Sequence, residues 1–236
     1  MNSPLWSQYD GFGDQYRDHA ADGAYNAHYD RPAVLAELGE VAGKQLLDAA
    51  CGPGLYAVEL IERGAEVTAF DASRSMVDLA RDRLGAGVRV DHAVLGEPLP
   101  YEANSFDTVL CALAIHYARE LSAVFGEFHR VLRPGGRLVV STQHPTTDWL
   151  RKGGSYFETT LETDSWVLAT GPTPIQYWRV SLTELCRAAT NAGFVITRLV
   201  EPRPAESMRA RWPDTYAKLD REPGFIILQL KKCDGA

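Results

Sequence analysis

The sequence predicts an α/β fold with a mostly parallel sheet, because short apolar runs, glycine turns and amphipathic helical patterns alternate along the chain. The clearest unit is LLDAACGPGLYAVELIERG, from Leu46 to Gly64: a buried strand, a turn and a helix. Gly52 and Gly54 permit backbone angles that other residues resist, so a ligand can approach the main chain. The free N–H groups at the start of the helix favour an anionic or hydrogen-bond-accepting ligand group.

The rest of the chain continues this alternation. Further strand patterns lie at residues 67–71, 88–93, 106–114, 137–145, 194–201 and 225–232. Helical patterns lie at residues 75–84, 121–132 and 182–192. In open α/β sheets ligands bind beyond the carboxyl ends of the strands, so Asp71, His116, Tyr117 and His144 are expected at the functional edge.

Composition narrows the class of protein. The 236 residues and 26.0 kDa fit one domain, and the net charge of −7 argues against a nucleic-acid partner. No apolar run approaches the ~20 residues of a membrane span, and the N-terminus lacks a signal-peptide pattern. The four cysteines are scattered without metal-ligand spacing. We therefore expect a cytoplasmic monomer or homodimer with reduced thiols, no metal and a small-molecule partner.

The glycine turn leaves two classes of ligand open. Gly52, Gly54 and Ala57 fit the loose dinucleotide fingerprint, which keeps an NAD-dependent oxidoreductase as an alternative. Asp48 in the preceding strand would repel a pyrophosphate but suits a ligand with an amino group. Pro53 also removes one loop N–H that a pyrophosphate could use. These two residues favour a zwitterionic ligand.

The motif from Asp48 to Gly54, DAACGPG, resembles the first motif of class I S-adenosylmethionine-dependent methyltransferases, of the small-molecule type that includes ubiquinone and menaquinone methyltransferases. The segment FHRVLRPGGRLVVS, residues 128–141, is similar to the same family's segment between the fourth and fifth strands. The resemblance implies a Rossmann-like, seven-stranded, mostly parallel sheet with helices on both faces and an antiparallel last strand at or near its edge. It also implies metal-free methyl transfer to O, N or C of a small organic acceptor by in-line displacement.

By this resemblance the glycine turn holds the methionine part of the cofactor and residues 93–95 face its adenine. Val94 and Leu95 stand where the family often has an acid that binds the adenine amino group. Asp71, at the end of the second strand, suits the ribose diol, although it could instead cap the next helix, as could Ser73. The predicted cofactor residues are Tyr16, Asp48, Ala50, Cys51, Gly52, Gly54, Asp71, Ala72, Met76, Ala93, Val94, Leu95, Ala112, Leu113 and Tyr117.

The acceptor is expected between two aromatic segments: an N-terminal arm, residues 1–43, and an irregular insertion, residues 146–180. The predicted acceptor residues are Tyr25, His116, Trp149, Tyr156 and Trp178, although such rings also serve simply to anchor a segment to the core. His116 and His144 are the candidate bases, because histidine titrates near neutral pH. Each could equally be a structural histidine at a strand end.

The predicted organisation is a single domain with a cofactor-binding core at residues 44–145 and a C-terminal helix and strands at residues 181–236. Two functions other than methyl transfer stay open. The NAD-dependent oxidoreductase shares the glycine spacing and Asp71, but the sequence lacks an evident catalytic Tyr-x-x-x-Lys pair. A non-catalytic S-adenosylmethionine-binding domain would share the whole cofactor site.

Overall fold

A computed structural model describes residues 5–168 and 170–233. The ends of the predicted arm and C-terminal segment, residues 1–4 and 234–236, and residue 169 of the predicted insertion lie outside the described residues. The strands are β1 Gln45–Ala49, β2 Glu66–Asp71, β3 Arg89–His92, β4 Phe106–Ala112, β5 Leu132–Gln143, β6 Thr160–Leu168, β7 Gly171–Arg179, β8 Phe194–Val200 and β9 Phe225–Lys232.

Helices connect and cover these strands. They are α1 Gly13–Asp22, α2 Arg31–Leu38, α3 Leu55–Glu62, α4 Arg74–Leu84, α5 Leu121–Val131, α6 Pro145–Lys152, α7 Leu182–Asn191, α8 Glu206–Arg211 and α9 Pro213–Leu219. Shorter helical turns span Leu5–Gly11, Asn26–Asp30 and Ile115–Tyr117. Within the described ranges, no helix is long and apolar enough to cross a membrane.

Seven strands form one sheet in the order β3-β2-β1-β4-β5-β9-β8. The first five pair in parallel, while β9 runs antiparallel to both β5 and β8. This confirms the predicted Rossmann-like sheet with an antiparallel last strand, and it places β9 second from the edge. The strand order reverses between β1 and β4, which is where ligands bind in open α/β sheets.

The core lies on both faces of the sheet because alternate strand residues point to opposite sides. Leu47, Val109 and Val140 belong to the cluster that includes the apolar stripes of α5 and α7. Leu46, Leu110 and Val139 belong to the opposite cluster with α2 and α3. This arrangement explains why the central strands are apolar throughout.

The segment expected to be irregular, residues 146–180, contains α6 and a two-stranded antiparallel hairpin of β6 and β7. The alternation of β6 is hard to see in the sequence because its inward positions include Glu162 and Asp164, which form ion pairs. Polar side chains therefore occupy both faces of the strand, and the usual apolar period of two is lost.

The N-terminal arm closes the carboxyl edge of the sheet as a series of short helices. Asp10 accepts hydrogen bonds from the Ser73 hydroxyl at 2.6 Å and the Ser75 amide at 3.3 Å. Ser73 also caps α4 by accepting from the Met76 amide, so the helix begins after Ser73 and not at Ser75. The arm is thus tied directly to the end of β2.

Candidate functional site

A first cavity lies where the ends of β1, β2 and β4 meet the N-terminal arm, with about 930 Å³ of empty space including its mouth. This size suits a small-molecule ligand. Of the predicted cofactor residues, those that line it are Tyr16, Asp48, Ala50, Cys51, Gly52, Asp71, Ala72, Met76, Ala93, Leu95, Ala112, Leu113 and Tyr117. The fold therefore brings most of the predicted set to one place.

Asp71 is held at the mouth of the glycine turn. Its carboxylate accepts from the Gly52 amide and from the Ser73 amide, each at 2.8 Å. Burial raises the pKa of Asp71 to about 6, against the lowering effect of these amide hydrogen bonds. Because each carboxylate oxygen can accept more than one hydrogen bond, Asp71 can still bind a diol in the cavity.

Asp48, at the base of the same cavity, has one carboxylate oxygen without a hydrogen-bond partner in the described chain. Its exposed fraction is 1%, and its Oδ2 has no hydrogen-bond partner among the described residues. Burial, and next the negative charge of Asp71, raise the pKa of Asp48 to about 7. A buried carboxylate without a partner is unfavourable, so this oxygen is placed to receive a cationic or donor group of a ligand.

Asp30 and Arg31, which the sequence did not single out, line the wall of the first cavity. Tyr56 donates to Asp30 Oδ2 at 2.6 Å, while Asp30 Oδ1 and Arg31 Nε are buried without partners in the described chain. Burial raises the pKa of Asp30 to about 6. The Arg31 guanidinium also donates through Nη2 to the Ala20 carbonyl at 2.7 Å. With Asp48, these residues give the cavity carboxylate oxygens and a guanidinium nitrogen without partners in the described chain, which suits a zwitterion. An Asp-Arg-Pro sequence in a helical region carries no motif that marks it as a site.

The backbone around the first cavity adopts unusual angles. Ala50 and Leu113 have φ of 57° and 49°, in the left-handed region that non-glycine residues rarely occupy. Gly52, with φ of 55°, has Tyr16 as its nearest neighbour at 3.8 Å from an added Cβ. Such strain concentrates at functional sites, and here it opens the main chain towards the cavity.

A second cavity, with about 1570 Å³ of empty space, lies between the arm, α6, the β6–β7 hairpin and the segment after α9. It shares five lining residues with the first cavity, namely Tyr9, Tyr16, Asn26, Leu113 and Tyr117. The two spaces therefore meet at a junction with three tyrosines. Tyr25 and His116, both predicted to contact the acceptor, line the second cavity.

The tyrosines of the junction form a compact aromatic group. The hydroxyls of Tyr9 and Tyr117 are 2.5 Å apart, and the Tyr9 ring meets Tyr16 edge-on at 4.9 Å between centroids. Burial is the largest cause that raises the pKa of all three, to about 12 for Tyr16. These hydroxyls stay protonated at neutral pH. Tyr9 was not predicted, although it belongs to the aromatic-rich arm.

His116 lies at the carboxyl end of β4, with its ring 4.4 Å from that of Tyr117. Its Nδ1 is 3.0 Å from the Thr142 hydroxyl. Burial lowers the pKa of His116 to about 3, so the ring is neutral at physiological pH. This low basicity does not favour the predicted role as a base, although its position next to the junction fits a contact with the acceptor.

A charged cluster forms one wall of the second cavity. Arg151 binds Asp164 and Asp148, each at 2.8 Å, and reaches the Tyr177 hydroxyl at 3.0 Å. Burial opposes ionisation of Asp164, but Arg151 and Lys152 hold its pKa below the usual value. The cluster ties α6 to the hairpin, and sequence analysis missed it because its members lie on separate elements.

Several predicted residues are not among those that line either cavity in the described chain: Gly54, Val94, His144, Trp149 and Tyr156. His144 Nε2 pairs with Glu201 at 2.9 Å, and Trp149 donates to the Gly154 carbonyl. The Tyr156 hydroxyl accepts from the Leu182 amide. Trp178 lines a smaller neighbouring pocket with His116. These contacts show how the side chains hold local structure.

Comparison with known proteins identifies the ligand class of the first cavity. Residues 47–140 match the family model described as a methyltransferase domain. This match identifies residues 47–140 as a class I S-adenosylmethionine-dependent methyltransferase domain. Its cofactor is S-adenosylmethionine, and the first cavity contains most of the predicted cofactor positions from the glycine turn to Tyr117.

The curated relatives of this domain are methyltransferases with different names. The malonyl-[acyl-carrier protein] O-methyltransferase of Salmonella typhimurium is 37% identical over 130 residues, 54% of this chain and 49% of the relative. The ubiquinone biosynthesis O-methyltransferase of Xanthomonas euvesicatoria is 38% identical over 110 residues, 45% of this chain and 46% of the relative. The chain thus spans about half the length of the curated relatives it matches.

The structural similarity covers more of the chain than these sequence alignments do. The crystal structure of an S-adenosylmethionine-dependent methyltransferase from Mesorhizobium loti has a TM-score of 0.67 at 26% identity, and the match covers 85% of this chain and 96% of that one. The unpaired groups fit the cofactor: Asp30 and Asp48 suit its ammonium, and Arg31 suits its carboxylate.

Proposed function

We propose that this protein transfers a methyl group from S-adenosylmethionine to O, N or C of a small organic acceptor by in-line displacement, without a metal. The observation that supports this most is the junction of the two cavities at Tyr9, Tyr16, Asn26, Leu113 and Tyr117. A cofactor in the first cavity and an acceptor in the second would meet there, within a wall that excludes water.

The residues of the first cavity would bind and orient the cofactor, which supplies an activated sulfonium methyl group when bound. Asp48 and Asp30 would hold the ammonium, Arg31 the carboxylate and Asp71 the ribose. The side chains of Met76 and Leu95 and the main chain at Ala93 would contact the adenine. Val94 is not among the residues that line this cavity in the described chain, so no adenine contact is assigned to it.

Tyr25 and His116 would contact the acceptor in the second cavity, together with Trp166, which sequence analysis did not select. Trp149, Tyr156 and Trp178 would support this wall from behind. The division into arm, core, insertion and C-terminal segment follows the same plan: the core binds the cofactor, while the arm and insertion enclose the acceptor.

The partner would be a small molecule and not nucleic acid. The protein itself would be a cytoplasmic monomer or homodimer. The relatives act on small or carrier-bound molecules, which supports the first of these points. The oxidoreductase and the non-catalytic binding domain gain no support from the comparisons.

The test is calorimetric titration of the wild type and Asp71→Ala with S-adenosylhomocysteine and, separately, with NADH. We expect S-adenosylhomocysteine to bind the wild type and to bind Asp71→Ala at least ~10-fold more weakly, because a charged hydrogen-bond acceptor is lost. NADH should not bind either protein. Binding of NADH alone would contradict methyl transfer and restore the oxidoreductase.

A further inference from the structure

The junction of the two cavities is rich in hydrogen-bond donors. The Tyr9 and Tyr117 hydroxyls are 2.5 Å apart, and only one of their two hydrogens can lie between the oxygens. The other hydrogen can point at a ligand. The Tyr16 hydroxyl lies in the lining of both cavities and carries one further hydrogen. Two hydroxyl hydrogens are thus available where the acceptor would present its nucleophile.

The cofactor would occupy the first-cavity acids Asp30, Asp48 and Asp71, and the second cavity offers little further basicity. Within the residues described, the imidazole and carboxyl side chains that line the second cavity are those of His19, His116, Asp148, Asp164 and Glu222. His116 is neutral and weakly basic, and His19 is stacked on Trp166 at 6.1 Å with its pKa lowered by burial. Asp148 and Asp164 are both held by Arg151, and Glu222 is exposed on the opposite wall.

The junction has hydroxyl donors but, within the described chain, no side chain suited to remove a proton from the acceptor. This combination favours an acceptor whose nucleophile is already an anion at neutral pH. An ammonium, alcohol or ordinary phenol must lose a proton before it attacks, and a buried amine would need a proton acceptor nearby. A carboxylate is ionised near neutral pH, and hydroxyl donors stabilise it when it leaves water. Raised pKa values keep the three tyrosines in the donor form.

We propose that the acceptor is a carboxylic acid with an aromatic or extended apolar body, and that the product is its methyl ester. The rings of Tyr9, Tyr16, Trp166 and Phe225 supply the apolar walls for that body. This proposal rests on the proposed methyl transfer. One carboxylate oxygen forms the new C–O bond while the C–S bond breaks; its electron pair stays on sulfur, which becomes a neutral thioether, and no proton is released.

The first experiment measures binding to the complex of the enzyme with S-adenosylhomocysteine near neutral pH. The probes are two matched sets, 2-naphthoate with 2-naphthol and 2-(aminomethyl)naphthalene, and decanoate with decanol and decylamine. We expect at least one carboxylate to bind ~10-fold more tightly than its matched alcohol and amine, since hydrogen bonds to a charged group are the stronger ones. Equal binding, preference for an amine or alcohol, or no carboxylate binding would overturn the proposal.

Substitutions at the junction test whether its tyrosine hydroxyls bind the carboxylate. Tyr16→Phe and Tyr117→Phe should each weaken carboxylate binding ~10-fold and leave binding of the matched alcohol nearly unchanged. Tyr216→Phe is the control, because its hydroxyl bonds Arg209 and Glu206 on α8, away from both cavities. Equal losses for the acid and the alcohol in the Tyr16 and Tyr117 variants would contradict an anion site at the junction.

Turnover with cofactor labelled in its methyl group then tests the product. A methyl ester releases labelled methanol in mild alkali, whereas methyl ethers and N-methylamines do not. Alkali-stable label on the preferred acceptor would overturn the ester while leaving methyl transfer intact. Failure to bind S-adenosylhomocysteine at all would instead remove the proposed function itself.

Discussion

At the scale of single residues, Asp48 shows a conflict between binding and stability. Its pKa rises from 3.8 to about 7 in the folded protein, so the folded state holds this proton more tightly than the unfolded state. Folding stability from this group therefore falls as pH rises between these two values. Above them, the ligand-free protein carries a buried, ionised carboxylate with an unpartnered oxygen.

Asp48→Asn should consequently raise the free energy of unfolding of the ligand-free protein at pH 8 by ~1–3 kcal/mol, a gain that shrinks towards pH 4. It should also weaken S-adenosylhomocysteine binding by ~10- to 100-fold. Urea unfolding and calorimetry measure the two effects. Asp107→Asn is the matched control and should instead lower the free energy of unfolding at pH 8. Asp107 is ion-paired with Arg133 at 2.6 Å, and its pKa is lowered. A loss of stability in Asp48→Asn at pH 8 would contradict this account.

The same carboxylate makes cofactor binding depend on pH. The proposed ammonium contact requires the ionised form of Asp48, so affinity for S-adenosylhomocysteine should fall ~10-fold per pH unit below about 7. The slope should steepen below about 6, where Asp30 and Asp71 also take up protons. Titration between pH 5.5 and 8.5 checks this. Affinity that is constant from pH 8 to 6 would show that Asp48 does not face the charged group.

At the scale of elements, the N-terminal arm and the β6–β7 hairpin form one roof from distant parts of the chain. The Gln8 side-chain amide donates to the Gln176 carbonyl at 3.2 Å and accepts from its amide at 2.9 Å, so it acts like a neighbouring strand along β7. Trp166 stacks on Tyr16 with ring centroids 5.8 Å apart. Gln15 accepts from Thr170 nearby.

Trp166→Ala should loosen this roof without unfolding the sheet, since the ring joins hairpin to arm and is not part of the main core. We expect faster hydrogen exchange at the Gln176 and Thr170 amides and weaker acceptor binding, while the exchange of β4 amides stays unchanged. Leu161→Ala is the control, because this side chain on the same strand is 41% exposed and is not among the second-cavity lining residues in the described chain. Exchange that changes equally in the two variants would argue against the contact between arm and hairpin.

At the scale of the whole molecule, stability comes from the two-faced core around the central strands. Phe125→Ala should lower the free energy of unfolding by ~3–5 kcal/mol, because its side chain is fully buried against the sheet at 0% exposure. Phe157→Ala removes the same ring at 81% exposure and should change stability little. Urea unfolding compares the two; similar losses would mean that Phe157 is packed in solution.

The succession of the seven sheet strands along the chain, the glycine turn and most of the first cavity could be predicted from the sequence. These features are local: a strand, its turn and the following helix are contiguous, and an acid at a strand end takes its position from that strand. Asp71 and Asp48 therefore appear where their strands place them. The antiparallel β9 followed from the resemblance and not from its own pattern.

Only the tertiary structure decided which distant residues meet. Asp30 and Arg31 reach the glycine turn because the arm folds back over the sheet, and Arg151 meets Asp164 because α6 packs beside the hairpin. His144 and Trp149 are not among the residues that line either cavity in the described chain, and their contacts with Glu201 and Gly154 depend on packing that no local pattern encodes. The sequence by itself determined the sheet and its cofactor turn, whereas the acceptor wall depends on contacts between segments far apart in the chain.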